Sequence, residues 1–213
     1  MTPRERVLAA ARHEEPDRVP LFYRDVPEIE TRLKRDLGLK DREDLLRYFG
    51  IDFRWIEPAS IVVAEWVRMK CLFGCGEYGR NASCPPNAPP VADCARFFRE
   101  YSEAVLFHFA KTVAKPEDRH AWTREIGERL VDLERDVFVA GNFKAFLLRL
   151  DSCSLCEPCP GRRSACKEPR RARPTPEALA VDVFTTVRAA GYPIRVLSDY
   201  TQEMNRYAIL LVE

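Results

Sequence analysis

Ala104-Val-Leu-Phe-His-Phe109, followed by the run from Pro116 to Val139, decides the fold. The first stretch is short, apolar and aromatic, the pattern of a strand. In the second, Trp122, Ile126, Leu130, Leu133 and Val137 recur at helical spacing. They form one apolar stripe along a long amphipathic helix that Gly141 closes. Phe143 to Leu150 comes next; its Lys-Ala-Phe-Leu-Leu-Arg-Leu run suits a strand and equally a helix. Upstream, Ile61-Val-Val-Ala-Glu-Trp-Val67 reads as a strand running into Cys71, and residues 71–93, rich in Gly, Pro and Asn, read as a loop. Cys94 to Tyr101 is helical, with Phe97, Phe98 and Tyr101 on its apolar side. Downstream, Cys153 to Pro174 is a second loop. Thr175 caps a helix through Val181, Phe184 and Val187 to Gly191, and Ile194–Leu197 and Tyr207–Val212 are strands. Before all of these, Thr2-Pro-Arg-Glu5 forms a capping box, Val19–Tyr23 is extended, and helices begin at Pro27 and Asp41 and end at Gly38 and Gly50. The expectation is an α+β fold: a mixed sheet with helices on one face and two cysteine-rich metal loops. A helical segment over residues 1–58 precedes this domain of residues 59–213.

The chain has 213 residues, of which 46% are hydrophobic, enough for a sizeable core. Its formal net charge of +1 sets up no field toward nucleic acid or anionic membranes, so neither is an expected partner. The longest apolar runs, such as Ala208-Ile-Leu-Leu-Val212, are too short to span a bilayer. Met1-Thr-Pro-Arg-Glu-Arg6 has no apolar region of a secretory signal. The expected location is the cytoplasm, where thiols stay reduced and eight cysteines read as metal ligands rather than disulfides.

Seven of the eight cysteines fall into two groups. The first is Cys71 and Cys75, then Cys84 in Ser83-Cys-Pro-Pro86. The second is Cys153-Ser-Leu-Cys156-Glu-Pro-Cys159, followed by Cys166 and Pro169. Thiolates this crowded repel one another unless a cation sits between them. Cys-x2-Cys-x2-Cys is the ferredoxin run, in which closely spaced sulfurs curl around one cluster and a further cysteine completes it. Cys153, Cys156, Cys159 and Cys166 are therefore candidate ligands of one 4Fe–4S cluster, and Cys71, Cys75 and Cys84 of another. The spacing to Cys166 is longer than in the bacterial run, which leaves open which group it serves. Structural zinc is the alternative, because Cys71/Cys75 with Cys153/Cys156 would make one tetrahedron; it leaves Cys84, Cys159 and Cys166 idle. Cys94 is the nearby further candidate, set against a buried small hydrophobe beside Ala95 and Phe97. If no cysteine fills the fourth place of the first group, one iron is open to ligand. Cys71-x3-Cys75 resembles the start of the radical-SAM motif, but the third cysteine of that motif is missing.

Arg162, Arg163, Lys167, Arg170, Arg171 and Arg173 make the second loop basic. No aromatic platform interleaves with them, so compensation of thiolate charge and solvated surface is favoured over nucleic-acid binding. Docking of an acidic redox partner stands between the two. His108, in an apolar strand, reads as a satisfied core histidine, and His13 and His120 as solvated. No nucleophile elbow, phosphate-binding loop or dinucleotide fingerprint is present.

Two resemblances sharpen this reading. Residues 60–213 resemble a family of predicted metal-binding, cysteine-rich proteins of anaerobes. The resemblance rests on Val67-Arg-Met-Lys-Cys71, Tyr78-Gly79, Ser83-Cys-Pro-Pro86, Phe138-Val-Ala-Gly141, the Cys153–Cys159 run and Arg173-Pro-Thr-Pro-Glu177. Met1–Pro20 and Leu46–Trp55 resemble the lead-in of the uroporphyrinogen decarboxylase superfamily, which includes corrinoid methyltransferases. The barrel of that superfamily, roughly 250 residues, is absent, as is its zinc-binding His-x-Cys, so no catalytic residue is carried over. Together the resemblances imply an iron–sulfur protein that transfers electrons to a corrinoid methyltransferase or its corrinoid protein. The alternatives are a zinc- or cluster-bearing binding module that docks a barrel methyltransferase, and a small reductase with an open cluster iron.

Overall fold

The computed structural model of the chain describes residues 53–115, 117–199 and 201–213, and before them only positions 15, 22, 23, 34, 35, 38 and 40. The expected helices starting at Thr2 and Asp41 lie outside the described residues. Of the helix expected from Pro27, Lys34 and Arg35 are helical, and Gly38 turns the chain at φ 67°, its N–H on Arg35 O at 3.3 Å.

Five strands form one mixed sheet: β1 (Phe22–Tyr23), β2 (Phe53–Ile56), β3 (Ala104–Lys111), β4 (Phe146–Leu148) and β5 (Met204–Leu211), in the order β1-β2-β3-β5-β4. β1 runs parallel to β2 and every other pairing is antiparallel. β3 and β5 pair along their whole length, from Ala104 opposite Leu211 to Lys111 opposite Met204. β2 belongs to this same sheet through Arg54 opposite Leu106. Among residues 53–213, four α-helices accompany it: α1 (Glu65–Gly74), α2 (Val91–Phe98), α3 (Asp118–Val139) and α4 (Val183–Ala189). The α+β mixed-sheet class is as the sequence implies.

Because side chains alternate across a strand, the sheet has two apolar faces. Val105, Phe107, Leu147, Ala208 and Leu210 meet Ile126, Leu130 and Leu133 of α3. Ala104, Leu106, Leu148, Ile209 and Leu211 meet Cys94 and Phe98 of α2, Val187 of α4, and Leu179 and Val181 from the segment before α4. Helices therefore cover both faces, not one, since the central strands are apolar at consecutive positions and neither face can be left wet.

Three local expectations are corrected. Ile61–Val67 is not a strand. Its extended part ends at Ala64: Val63 bridges Val181, Ala64 N–H donates to Ala180 O at 2.9 Å, and Val62 O accepts from Asp182 N at 2.7 Å. The β-branched run stops there and good helix formers follow, so α1 carries Lys70 and Cys71, with Cys75 at its C-cap. The loop expected over 71–93 is accordingly shorter at both ends. Second, the helix from Thr175 breaks in two. Thr175 caps only a 3-10 turn, Glu177–Leu179, through Ala178 N at 3.1 Å; Ala180 is left-handed at φ 60°, and Asp182 starts α4. The break lets Val181 bridge Val63. Third, Ile194–Leu197 pairs with no strand among the described residues, and Val196 is 82% exposed.

Asp182 accepts from Thr185 N at 3.0 Å and from Thr185 Oγ1 at 2.6 Å. Asp182→Ala is expected to cost about 1 kcal/mol, while Asp182→Asn costs about half of that or less, both read by chemical denaturation. Equal losses for the two substitutions would show that the cap is not what Asp182 contributes.

Candidate metal centre

The first cysteine loop is a chain of tight turns. Tyr78 N–H donates to Cys75 O at 3.3 Å, Gly79 N–H to Pro85 O at 2.9 Å, and Cys84 N–H to Asn81 O at 3.1 Å. Its centre is Asn81, only 2% exposed. Asn81 Oδ1 accepts from Ser83 N at 3.0 Å, and Asn81 Nδ2 reaches across to Cys153 O at 2.7 Å. Asn87 makes the second crossing: Nδ2 donates to Gly161 O at 3.0 Å and Oδ1 accepts from Arg163 N at 3.1 Å. Ala82 N–H points at Cys159 Sγ, 3.4 Å away, the donor geometry that stabilises a thiolate. A Cβ at Gly161, which has φ +73°, would stand 3.2 Å from Gly79 O, so both conformation and close approach call for glycine.

The second loop is anchored at both ends. Asp151 accepts from Thr123 Oγ1 of α3 at 3.2 Å and from Ser152 N at 2.9 Å. At the far end Arg173 Nε donates to the buried Glu134 carboxylate at 2.8 Å, and that carboxylate also accepts from Leu147 N at 2.9 Å. Arg171 pairs with Asp132 at 2.9 Å. Two of the loop's basic residues thus hold it to α3. His108 is satisfied as expected, with Nε2 2.7 Å from Asn205 Oδ1 and its ring stacked on Tyr207.

The electrostatics group the thiols. Burial raises the Cys84 thiol to about 12, and the charges of Cys75, Glu77, Cys71 and Cys153 add to the rise. Cys71 is raised by burial and then by Cys75, with Arg68 opposing. Cys156 is raised by desolvation, then by Cys153 and Cys166. Two overlapping sets result: Cys71, Cys75, Cys84 and Cys153, and Cys153, Cys156 and Cys166. Cys153 belongs to both. Cys94 lies elsewhere, 1% exposed in the core under α2, its thiol 3.6 Å from Pro89 O. Among the described residues, no three Cys, His, Asp or Glu side chains are grouped closely enough to hold a metal ion.

Arg149, the residue after β4, is 1% exposed. Its Nε and Nη1 are buried and make no hydrogen bond. Burial pulls its pKa down, and the Cys153, Glu128 and Asp151 charges oppose that. α3 makes room for the guanidinium at Gly127, where a Cβ would come within 2.7 Å of Arg149 Cζ. A buried unpaired guanidinium is costly unless an anion accompanies it. An all-sulfur donor set that carries net negative charge when metal is bound is such an anion, and it suits zinc or iron–sulfur. The donor chemistry and the orphaned Arg149 atoms therefore fit a metal–thiolate group. Asn81, Asn87 and Arg149 are the contributors that sequence reasoning missed.

The chain matches the family described as predicted metal-binding protein (DUF2284) over residues 54–212, and it belongs to that family. No curated protein and no solved structure gives a significant match. No helix among the described residues is long and apolar enough to cross a membrane.

The raised thiols carry a sign. Folded Cys84, near 12, keeps its proton where an unfolded cysteine, near 8.5, has lost it. Its stabilising contribution is complete below about 8.5 and declines as pH rises toward 12, by up to about 1.4 kcal/mol per pH unit. Reduced, chelator-stripped protein should lose about 1 kcal/mol between pH 7.5 and 9.5, measured by urea denaturation. Unchanged or increasing stability over that interval would contradict the thiol assignment.

Proposed function

We propose that the chain is an iron–sulfur protein whose thiolates come from Cys71, Cys75 and Cys84 and from Cys153, Cys156, Cys159 and Cys166, and that it relays electrons to a partner. The observation that carries the reading is the buried, unpartnered Arg149 guanidinium behind Cys153, where the two cysteine loops are hydrogen-bonded together. Iron–sulfur binding would supply one-electron chemistry at this junction. The residues' own part is to furnish thiolates, to aim backbone N–H groups such as Ala82 N at sulfur, and to place positive charge behind the centre. Metal binding would release the thiol protons and put attraction to the metal in their place, so loading would draw the loops closer together.

The proposed partner is a corrinoid methyltransferase or the corrinoid protein it serves, on the resemblance of residues 1–58. Support for a docking face beside the centre comes from α1, where Trp66 is 51% and Phe73 82% exposed next to Cys71. A second reading is structural zinc. It is favoured by the set of thiol charges that meet at Cys84, which contains four sulfurs, those of Cys71, Cys75, Cys84 and Cys153.

Purification without air, followed by iron, sulfide and EPR analysis, tests the two readings. Iron with matching acid-labile sulfide and a reducible cluster signal is expected, and Cys153→Ser should lower the metal content strongly where Cys94→Ser leaves it unchanged. Colourless protein with stoichiometric zinc would reject the cluster. Arg149→Met should stabilise the stripped protein by about 1 kcal/mol or more and move the cluster's potential to more negative values. An unchanged potential with full cluster occupancy would separate Arg149 from the centre.

A further inference from the structure

A cavity of about 520 Å³ opens beside Cys71 and Cys75, between α1, the 3-10 turn, the start of β5 and the segment Ile194–Leu197. Its volume lies in the range of small-molecule sites. Its apolar floor is Val67, Leu150, Val181 and Met204, each buried to 5% exposure or less. Its polar wall is Arg206. Arg206 Nε is buried and makes no hydrogen bond. Asn205, the neighbouring strand residue, turns to the other face of the sheet, where its Oδ1 meets His108 Nε2 at 2.7 Å. Lys70 and Arg195 add positive charge, against the single carboxylate of Glu177, whose charge reaches Arg206.

We propose that this cavity binds a small monocarboxylate with an apolar body. The carboxylate would pair with Arg206, and the body would lie on the Val67, Val181 and Met204 floor. A guanidinium fork matches the planar carboxylate, and an unpaired buried donor gains most from an ionised acceptor. The site neighbours the proposed metal thiols but does not require the metal.

The test is calorimetric titration of full-length protein, as purified without air and again after chelation, with 3-phenylpropionate and with its uncharged counterpart 3-phenylpropanol. The acid should bind at least 10-fold more tightly than the alcohol in both preparations. Arg206→Gln should remove that preference and leave alcohol binding unchanged, and Arg206→Lys should retain part of it. Val183→Trp, which narrows the cavity, should weaken both ligands at least 10-fold. Equal binding of acid and alcohol by the unsubstituted protein, or no binding of either at millimolar concentration, overturns the proposal whether or not any variant folds. An acid preference in protein devoid of iron and zinc would uphold this site while rejecting the metal reading.

Discussion

The side-chain amide of Asn81 holds the two cysteine loops together. It is buried on the first cysteine loop and donates across to the carbonyl of Cys153 on the second. A buried amide must satisfy its hydrogen-bonding groups, and Asn81 does so by joining segments far apart in the chain. Asn87 repeats the device at Gly161 and Arg163. Without these crossings the two loops would be independent turn-rich segments at the edge of an ordinary sheet. With them, Cys153 lies within electrostatic reach of both cysteine groups.

That junction sets protonated thiols near a buried cation. Burial first, and then the neighbouring Cys75 charge, make the Cys84 thiol resist ionising, raising it to about 12. Behind them the Arg149 guanidinium is shut in with two nitrogens unpaired. The guanidinium is a cost when considered alone, since a buried charge without its counter-charge opposes folding, and protonated thiols do not supply that counter-charge. Considered together they are complementary: a metal bound by several thiolates is an anionic centre, and Arg149 is a cation already in place. The rest of the fold maintains this arrangement. α3 sets Gly127 over the guanidinium, Glu134 holds Arg173 and β4, and Asp151 ties the loop's entrance to Thr123.

Much of this frame was legible in the sequence, because it rests on periodicity. The α3 stripe placed Ile126, Leu130 and Leu133 on the core, and the apolar runs of β3 and β5 gave the sheet its centre. The cysteine spacing marked both loops. What was not legible depends on partners remote in the chain. Ile61–Val67 looks like a strand until Ala180 and Asp182 are known to take the hydrogen bonds of Val62 and Ala64, after which nothing keeps the chain extended. Asn81 and Asn87 look like any loop asparagines until the second loop is beside them. Arg149 sits in a run whose strand and helix readings differ in which side chains face inward, so its burial could not be read. That the Cys153 charge reaches both Cys84 and Cys156 is a property of the fold alone.

X-ray absorption at the metal edge of protein isolated without air addresses the centre most directly, because it counts the atoms bound to the metal whichever metal is held. The account predicts a first shell made of sulfur, at about 2.3 Å for zinc and similar for iron, that loses intensity in Cys153→Ser. A shell dominated by nitrogen or oxygen, or one indifferent to Cys153, would contradict it.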